Sequence, residues 1–371
     1  MGSGQRSQAG VTAAHRYARR TMLTGGHSTG EESPRTETVS VVMATFNGAE
    51  FLDEQLESLV TQTQLPDELV VVDDASTDGT QNLLRAFARR APFPVQIVEQ
   101  PYHVGTSPNF EEGIVRSTGD LIAIADQDDR WRPDKIAVMA NRMAREPDVL
   151  MAFSDAVLID AEGKQIGGSR WRVSGFSPGV WRQMALDPFG PMLGRQVVSG
   201  CTMVFRRELV PAISPMPAGV HPALGDIMYD RWISLVAAAV GPVMTIPERL
   251  IEYRIHPGQQ IGIPAFRLRR GTPRLALHAG QFVANHHEKE GRAEYYLAHL
   301  HEISKRLEAS DLDTGDSHLR LHLGAQHLAA RSAIVHDRKG RLRAIGRQYR
   351  DPDGYRRFAL GLATALADLV R

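Results

Sequence analysis

Only one of the 371 residues is cysteine, Cys201, so no disulfide can join parts of this chain. Stability must come from a buried core, and the expected setting is reducing and cytoplasmic. No apolar run approaches the roughly 18 to 20 residues that cross a bilayer. The longest, around Ile233–Val240, is short and is followed by Gly241 and Pro242, which predicts a buried helix. Net charge is also missing. Lys plus Arg and Asp plus Glu number 43 each, so no overall field draws nucleic acid or an acidic substrate. The first strand-like segment is not followed by Gly-x-Gly-x-x-Gly, which removes the phosphate cradle of a dinucleotide oxidoreductase. The start, Met1–Glu37, lacks the apolar centre of a signal peptide and is expected to be a disordered leader. No internal repeat is present.

From Val39 the chain alternates in character. Val39–Ala44, Glu68–Asp73, Val95–Gln100 and Leu121–Ala125 are short apolar or β-branched runs bounded by polar turns. Such near-continuous runs suit a parallel sheet covered on both faces. Between them Leu52, Leu56, Leu59 and Val60 share one helical face, as do Leu83, Leu84 and Phe87. Ser107 and Pro108 read as an N-cap and first-turn proline opening a helix over Asn109–Ser117. Val149–Ser154 and Ala156–Asp160 read as two more strands, with a turn at Glu162 and Gly163. The order β-α-β-α-β-α-β predicts a doubly wound α/β domain. From Arg267 onward Leu, Ala, His, Arg and Glu recur at helical spacing, which predicts a helical C-terminal region.

Ligands of open α/β sheets bind beyond the carboxyl ends of the strands. Three of those ends are polar here: Thr45 to Gly48, Asp73 to Gly79, and Asp126 to Asp129, with Trp131 just after. Clustered carboxylates repel one another unless a cation neutralises them, and oxygen ligands select a hard ion, Mg²⁺ or Mn²⁺. Such ions usually share their shell with substrate phosphates. A lone Asp-x-Asp is more often a solvated turn, and it is the strand-end position that reverses this balance. A calcium loop at Asp74–Gly79 fails because Arg85 stands at its twelfth position, where a bidentate Glu is required. Ser76 or Thr77 is expected to cap the helix after that turn, which leaves Asp73 and Asp74 free to bond a base or ribose.

Ordered blocks over more than half the chain resemble the family 2 inverting glycosyltransferases of GT-A fold, in their bacterial rhamnosyltransferase-like branch. The blocks are Val39–Gly48, Gln55–Leu59, Glu68–Thr80, Val104–Phe110, Asp126–Trp131 with Pro133, Asp134 and Lys135, Ser199–Met203, Tyr229–Trp232 and Tyr253–His256. The resemblance implies a Rossmann-like, mostly parallel sheet with flanking helices. It divides the chain into a leader (1–37), a catalytic domain (38–262) and a helical region (263–371). It implies a nucleoside-diphosphate-sugar donor, with Thr45, Asn47, Asp73, Asp74 and Asp126 at the nucleotide, and a divalent cation on Asp128 and His256. It also implies Asp230 as general base, a saccharide or lipid-linked acceptor in cell-surface polysaccharide synthesis, and a cytoplasmic site of action. Two positions depart from the pattern. His103 stands where the family usually has Asn, and Tyr229 where it often has His.

Several residues keep two readings. Asp226 lies four residues before Asp230 and competes with it as base, on one helical face if the helix reaches back that far. Trp131 and Trp232, with Asp129, are candidates to contact sugar or acceptor, although tryptophans more commonly pack in cores. Cys201 follows Gly200 in an apolar run and reads as a buried structural thiol. His318 and His322 have helical ligand spacing without the Glu of a zinc-protease pattern, so a packed or solvated face is expected. Arg338–Arg343, with Arg347 and Arg350, is basic and precedes an apolar Phe358–Val370, which suits either membrane contact or packing on the catalytic domain. The rival functions are a sugar nucleotidyltransferase, which lacks here its Gly-rich phosphate loop, and a non-catalytic carbohydrate-binding relative. The intact set Asp126, Asp128, Asp230 and His256 argues against the latter.

Overall fold

The computed structural model describes residues 37–218, 226–259, 292–310, 312, 315–336 and 341–351. The leader, the boundary expected at 262 and the Phe358–Val370 segment lie outside the described residues. The strands are β1 Val39–Thr45, β2 Glu68–Asp73, β3 Val95–Glu99, β4 Leu121–Asp126, β5 Arg130–Trp131, β6 Met151–Ile159, β7 Gln165–Ser169, β8 Met203–Arg206 and β9 Val243–Arg254. The helices are α1 Leu52–Val60, α2 Thr80–Ala88, α3 Thr106–Arg116, α4 Lys135–Ala144, α5 Arg170–Ser174, α6 Pro178–Leu186, α7 Phe189–Gly194, α8 Val210–Ile213 and α9 Tyr229–Val240, followed by α10 Arg292–Glu308, α11 Ser317–His336 and α12 Arg341–Arg350.

One sheet runs β3-β2-β1-β4-β8-β6-β9-β5, with β7 paired to β6. Strands β1 to β4 are parallel, β8 is antiparallel to both β4 and β6, and β6 and β9 are parallel. The mostly parallel α/β sheet with flanking helices expected from the sequence is therefore present. Alternation along the central strands explains the layers. Val42, Ile122 and Ile124 face one core with α3, α7 and α9. Val41, Met43, Leu121, Ala123 and Ala125 face the other with α1, α2 and α4. Gly113 lets α3 lie directly on β1, since a Cβ there would stand 2.5 Å from Val42 Cγ1.

Four local expectations are corrected. Val149–Ser154 and Ala156–Asp160 form one strand, β6; the break read at Asp155 is a register shift against β9, with the Asp155 carboxylate accepting from Ala156 N and Trp171 N. Helix α3 starts at Thr106 after Gly105, whose φ is +95°, so Ser107 lies inside the first turn and its Oγ accepts from Tyr229 N instead. At α2 neither Ser76 nor Thr77 caps; Asp78 Oδ1 accepts from Thr80 N at 3.0 Å, while Ser76 bonds Asp73. Asp226 precedes α9 and is exposed, so it does not share a helical face with Asp230.

Trp232 is fully buried on α9. Its Nε1 donates to Ile213 O at 2.8 Å, and the Arg306 guanidinium of α10 stacks 5.2 Å from its ring centroid. That placement excludes it from sugar contact, because its faces are covered by protein. Trp131 is likewise buried, with Lys135 Nζ 3.2 Å from its ring centroid. Trp232→Ala should cost about 3–5 kcal/mol of stability, the range for a large buried aromatic. Urea unfolding measures it, and a loss below about 1 kcal/mol would contradict the packing described.

Candidate active site

The parallel register brings the polar strand ends to one edge. Thr45 pairs with Asp73 and Ala44 with Asp126, so β2, β1 and β4 finish side by side. Their loops are tied to one another. Gln127 Oε1 accepts from Phe46 N at 2.8 Å, and its Nε2 donates to Phe46 O. Asn47, at φ +45°, donates its N–H to Ser76 Oγ and accepts from Thr77 N on Oδ1. Ala75 is also in the left-handed region, at φ +58°. Non-glycine residues held there cost on the order of 1–3 kcal/mol and persist only where surrounding bonds over-determine them.

Asp73 and Asp74 are both buried and already engaged. Asp73 accepts from Thr45 Oγ1, Ser76 N, Ser76 Oγ and Gln81 Nε2. Asp74 accepts from Val104 N at 2.7 Å and Gly105 N at 2.9 Å, and His103 Nδ1 stands 2.8 Å from its Oδ2. The freedom expected of these two carboxylates is thus corrected: they brace the loops. The groups left open beside them are the rings of Phe46 and His103, which pack with centroids 4.3 Å apart and are 43% and 59% exposed.

Beyond β4 the carboxylates crowd. Asp126 Oδ1 accepts from Tyr229 OH at 3.2 Å. Burial, then the negative charges of Asp128 and Asp230, push its carboxyl up to about 7. Asp129 is buried and raised well above the usual carboxylate range, first by burial and then by Asp128 and Asp126. Its Oδ1 accepts from Arg254 N, and its Oδ2 is buried without a hydrogen bond of ordinary geometry. Asp129 is therefore enclosed, which corrects its candidacy as a sugar contact. Asp128 Oδ2 lies 2.9 Å from His256 Nε2, both side chains being partly open. Asp230 sits in the first turn of α9, where Oδ1 accepts from Arg231 N and Oδ2 from Gln196 Nε2. Burial raises its carboxyl despite the Arg231 and Arg170 guanidiniums nearby.

Among the described residues one group of three donors lies close enough to hold an ion. Asp126, Asp129 and Cys201 offer ligand atoms all within 4.8 Å of one another. The Cys201 thiol is pushed far up by burial and by Asp129 and Asp126, so it stays protonated and ill suits a hard cation. The partly open Asp128–His256 pair, whose Asp128 charge is felt by Asp126, offers the carboxylate and imidazole chemistry that suits Mg²⁺ or Mn²⁺ better. Sequence reasoning missed the groups that enclose the cluster. Lys135, fully buried, donates Nζ to Cys201 O at 2.7 Å and is pushed down to about 7 by burial. Arg254, also fully buried, donates to Asp128 O, Ala161 O and Glu54 Oε2, each at 2.7 Å. Both stood inside recognised blocks, but an inward-facing Lys or Arg carries no periodic signal. Tyr229 was visible only as a departure. Gly200 makes room for it, since a Cβ there would stand 1.8 Å from the phenol oxygen.

A carboxyl whose folded pKa lies above its unfolded value binds more protons folded than unfolded. Its stabilising contribution is complete below about pH 4 and is lost as pH rises through about 7. Chelated protein should therefore lose stability between about pH 5 and about pH 8, and Asp126→Asn should remove much of that fall. At about pH 8 the variant should melt at least about 2 °C higher than the parent. Thermal melts in chelator check this. A parent curve that rises with pH, or a variant melting no higher, would contradict the crowding.

The chain is similar to several known proteins. It is 27% identical over 221 residues to an uncharacterised protein of Mycobacterium tuberculosis, the match covering 59% of either chain. It therefore spans about three fifths of that relative's length. It is also 27% identical over 220 residues to an uncharacterised glycosyltransferase of Nostoc sp., covering 59% of this chain and 65% of the relative. Among solved structures, the mannosyltransferase PcManGT of Pyrobaculum calidifontis in complex with GDP-Man and Mn²⁺ aligns at TM-score 0.46 and 20% identity, over 98% of this chain and 96% of that one. Residues 40–211, just under half of the chain and the stretch that holds every strand-end residue from Thr45 to Asp129, match the model of one family, glycosyl transferase family 2.

Proposed function

We propose that this protein is an inverting glycosyltransferase that moves a hexose from a nucleoside-diphosphate-sugar to a hydroxyl acceptor. Rhamnose is the sugar of the branch it resembles. The acceptor would be a saccharide, free or lipid-linked, in bacterial cell-surface polysaccharide synthesis on the cytoplasmic side of the membrane. The catalytic domain is 38–262, and the helical region after it is the part that would meet a membrane surface. The observation that carries this reading is the gathering of Asp126, Asp128 and Asp230 at the same sheet edge as the Asp74 loop, with His256 on Asp128.

The parts divide by position. Thr45, Asn47, Asp73 and Asp74 shape the nucleotide side, with Asp73 and Asp74 acting through the loops they brace. Asp128 and His256 would hold Mg²⁺ or Mn²⁺ beside the diphosphate, with Asp126 next to them on the nucleotide side. Bound there, such a cation neutralises charge on the departing nucleoside diphosphate. Asp230 takes the proton of the acceptor hydroxyl. Its raised pKa suits that work, since a base is most effective near the working pH. Gln196 on its Oδ2 and the Arg231 N–H on its Oδ1 fix its orientation.

The donor is found by screening nucleoside diphosphates, with and without Mn²⁺, for a rise in melting temperature. Asp128→Asn should abolish the metal-dependent part of that rise and the turnover. Asp230→Asn should lower kcat by about 10²-fold or more while donor binding survives. Asp226→Asn, at an exposed residue ahead of the helix, should stay near parental activity. Full activity in chelator would overturn the metal assignment, and a dead Asp226 variant beside a live Asp230 variant would overturn the base. No stabilisation by any nucleotide would leave a non-catalytic binding protein as the better reading.

A further inference from the structure

The chain as a whole carries equal numbers of acidic and basic residues, yet α11 and α12 contain no Asp or Glu. The two helices instead carry Arg320, Arg331, Arg341, Arg343, Arg347 and Arg350. In a charge-balanced protein, two packed helices with arginines and no carboxylates of their own concentrate positive charge locally.

Helix α12 turns a defined face outward. Its inner side, Ala344, Ile345 and Gln348, is partly buried, and Gln348 Oε1 lies 3.2 Å from His327 Nδ1 on α11. At 100° per residue the opposite arc holds Tyr349, Leu342, Arg350, Arg343 and Arg347 in that order. All five are exposed, Leu342 by 70% and Tyr349 by 40%. Among the described residues no hydrogen bond or ion pair engages the guanidiniums of Arg343, Arg347 or Arg350. An exposed leucine and tyrosine beside three free arginines is the composition of a helix that lies in a membrane interface. The apolar side chains enter the acyl boundary and the guanidiniums meet lipid phosphates.

We propose that this face of α12 docks the protein on a bilayer surface rich in anionic phospholipid. A nucleic acid would satisfy the arginines but leave Leu342 in water, so the apolar pair decides for lipid. The inference gives the proposed lipid-side acceptor a physical means of approach, and it is tested without donor, metal or turnover. No helix among the described residues is long and apolar enough to cross a membrane, so contact here means lying on the surface.

Full-length protein is sedimented with vesicles of phosphatidylcholine alone and of phosphatidylcholine with ~30% phosphatidylglycerol, at about 50 mM and about 500 mM salt. Binding should require the anionic lipid and weaken at high salt. Each arginine near such a surface is worth about fivefold in partitioning, so Arg343→Gln, Arg347→Gln and Arg350→Gln together should lose about 100-fold. Leu342→Ser with Tyr349→Ser should also weaken binding several-fold with every charge intact. The variants' melting temperatures should match the parent, and their metal-dependent stabilisation by nucleotide should persist, which separates this face from the catalytic reading. Equal binding to neutral vesicles, no binding to anionic ones, or an unaffected triple variant would overturn the proposal. So would a Leu342, Tyr349 double variant that binds as the parent does, since charge alone would then explain the contact.

Discussion

Four carboxylates converge where β4 ends and α9 begins, and their mutual repulsion is the constraint around which the rest of this structure is arranged. Asp126 and Asp129 lose water on burial and sit among neighbours of their own sign, so both are driven toward the protonated form. Left to local forces the Asp126–Asp129 loop would swing outward into solvent. It stays because other parts of the chain grip its backbone and its flanks. Arg254 holds Asp128 O and, by its own N–H, Asp129 Oδ1. Lys135 reaches under the loop to Cys201 O, and Tyr229 closes it from the helix side with a phenol on Asp126.

Those three anchors come from β9, α4 and α9, so the site is finished only when distant parts of the chain meet. Arg254 lies two residues before His256, which makes one strand end serve two purposes: its buried guanidinium fixes the acid loop, and its continuation delivers an imidazole to Asp128. Glu54 on α1 pairs with the same guanidinium and links the first crossover helix to the loop after the fourth strand. A buried arginine with one acidic partner and three carbonyl acceptors is costly to desolvate. It persists because each acceptor it satisfies would otherwise stay unpaired in the interior.

The sequence made the parallel half of the sheet legible because β1, β2 and β4 are buried on both sides and read as nearly unbroken apolar runs. The edge strand β3 is short, β-branched and bounded by polar turns. Glu68–Asp73 was read to the residue, and β1, β3 and β4 to within one. The mixed half was harder. Two-residue β5 is too short for any pattern, and β9, with Thr245, Pro247, Glu248 and Arg249 among its twelve residues, lacks a continuous apolar signal. At the site, the acidic residues were legible from their place after strands. Their partners were not. Whether Asp74 faces a ligand or braces a loop depends on where Val104 and Gly105 arrive, thirty residues away. Whether a tryptophan stacks on sugar or fills a core depends on α8 and α10 meeting at Trp232.

That last contact ties the two halves of the molecule together. Trp232 lies two residues after Asp230 on α9, and its indole is held by Ile213 O and by Arg306 of α10. Arg306 also donates to Ile213 O, and Arg320 of α11 donates to Ala239 O at the far end of α9. The helix that carries Asp230 is thus gripped along its length by the C-terminal helices, and α12 is bound to them through Gln348 and His327. A helix packed at such density transmits displacement rather than absorbing it. Anything that displaces α12 therefore also bears on where the Asp230 end of α9 lies. For the proposed transfer to a lipid-linked acceptor, such a mounting would fix one of the two reactants before they approach.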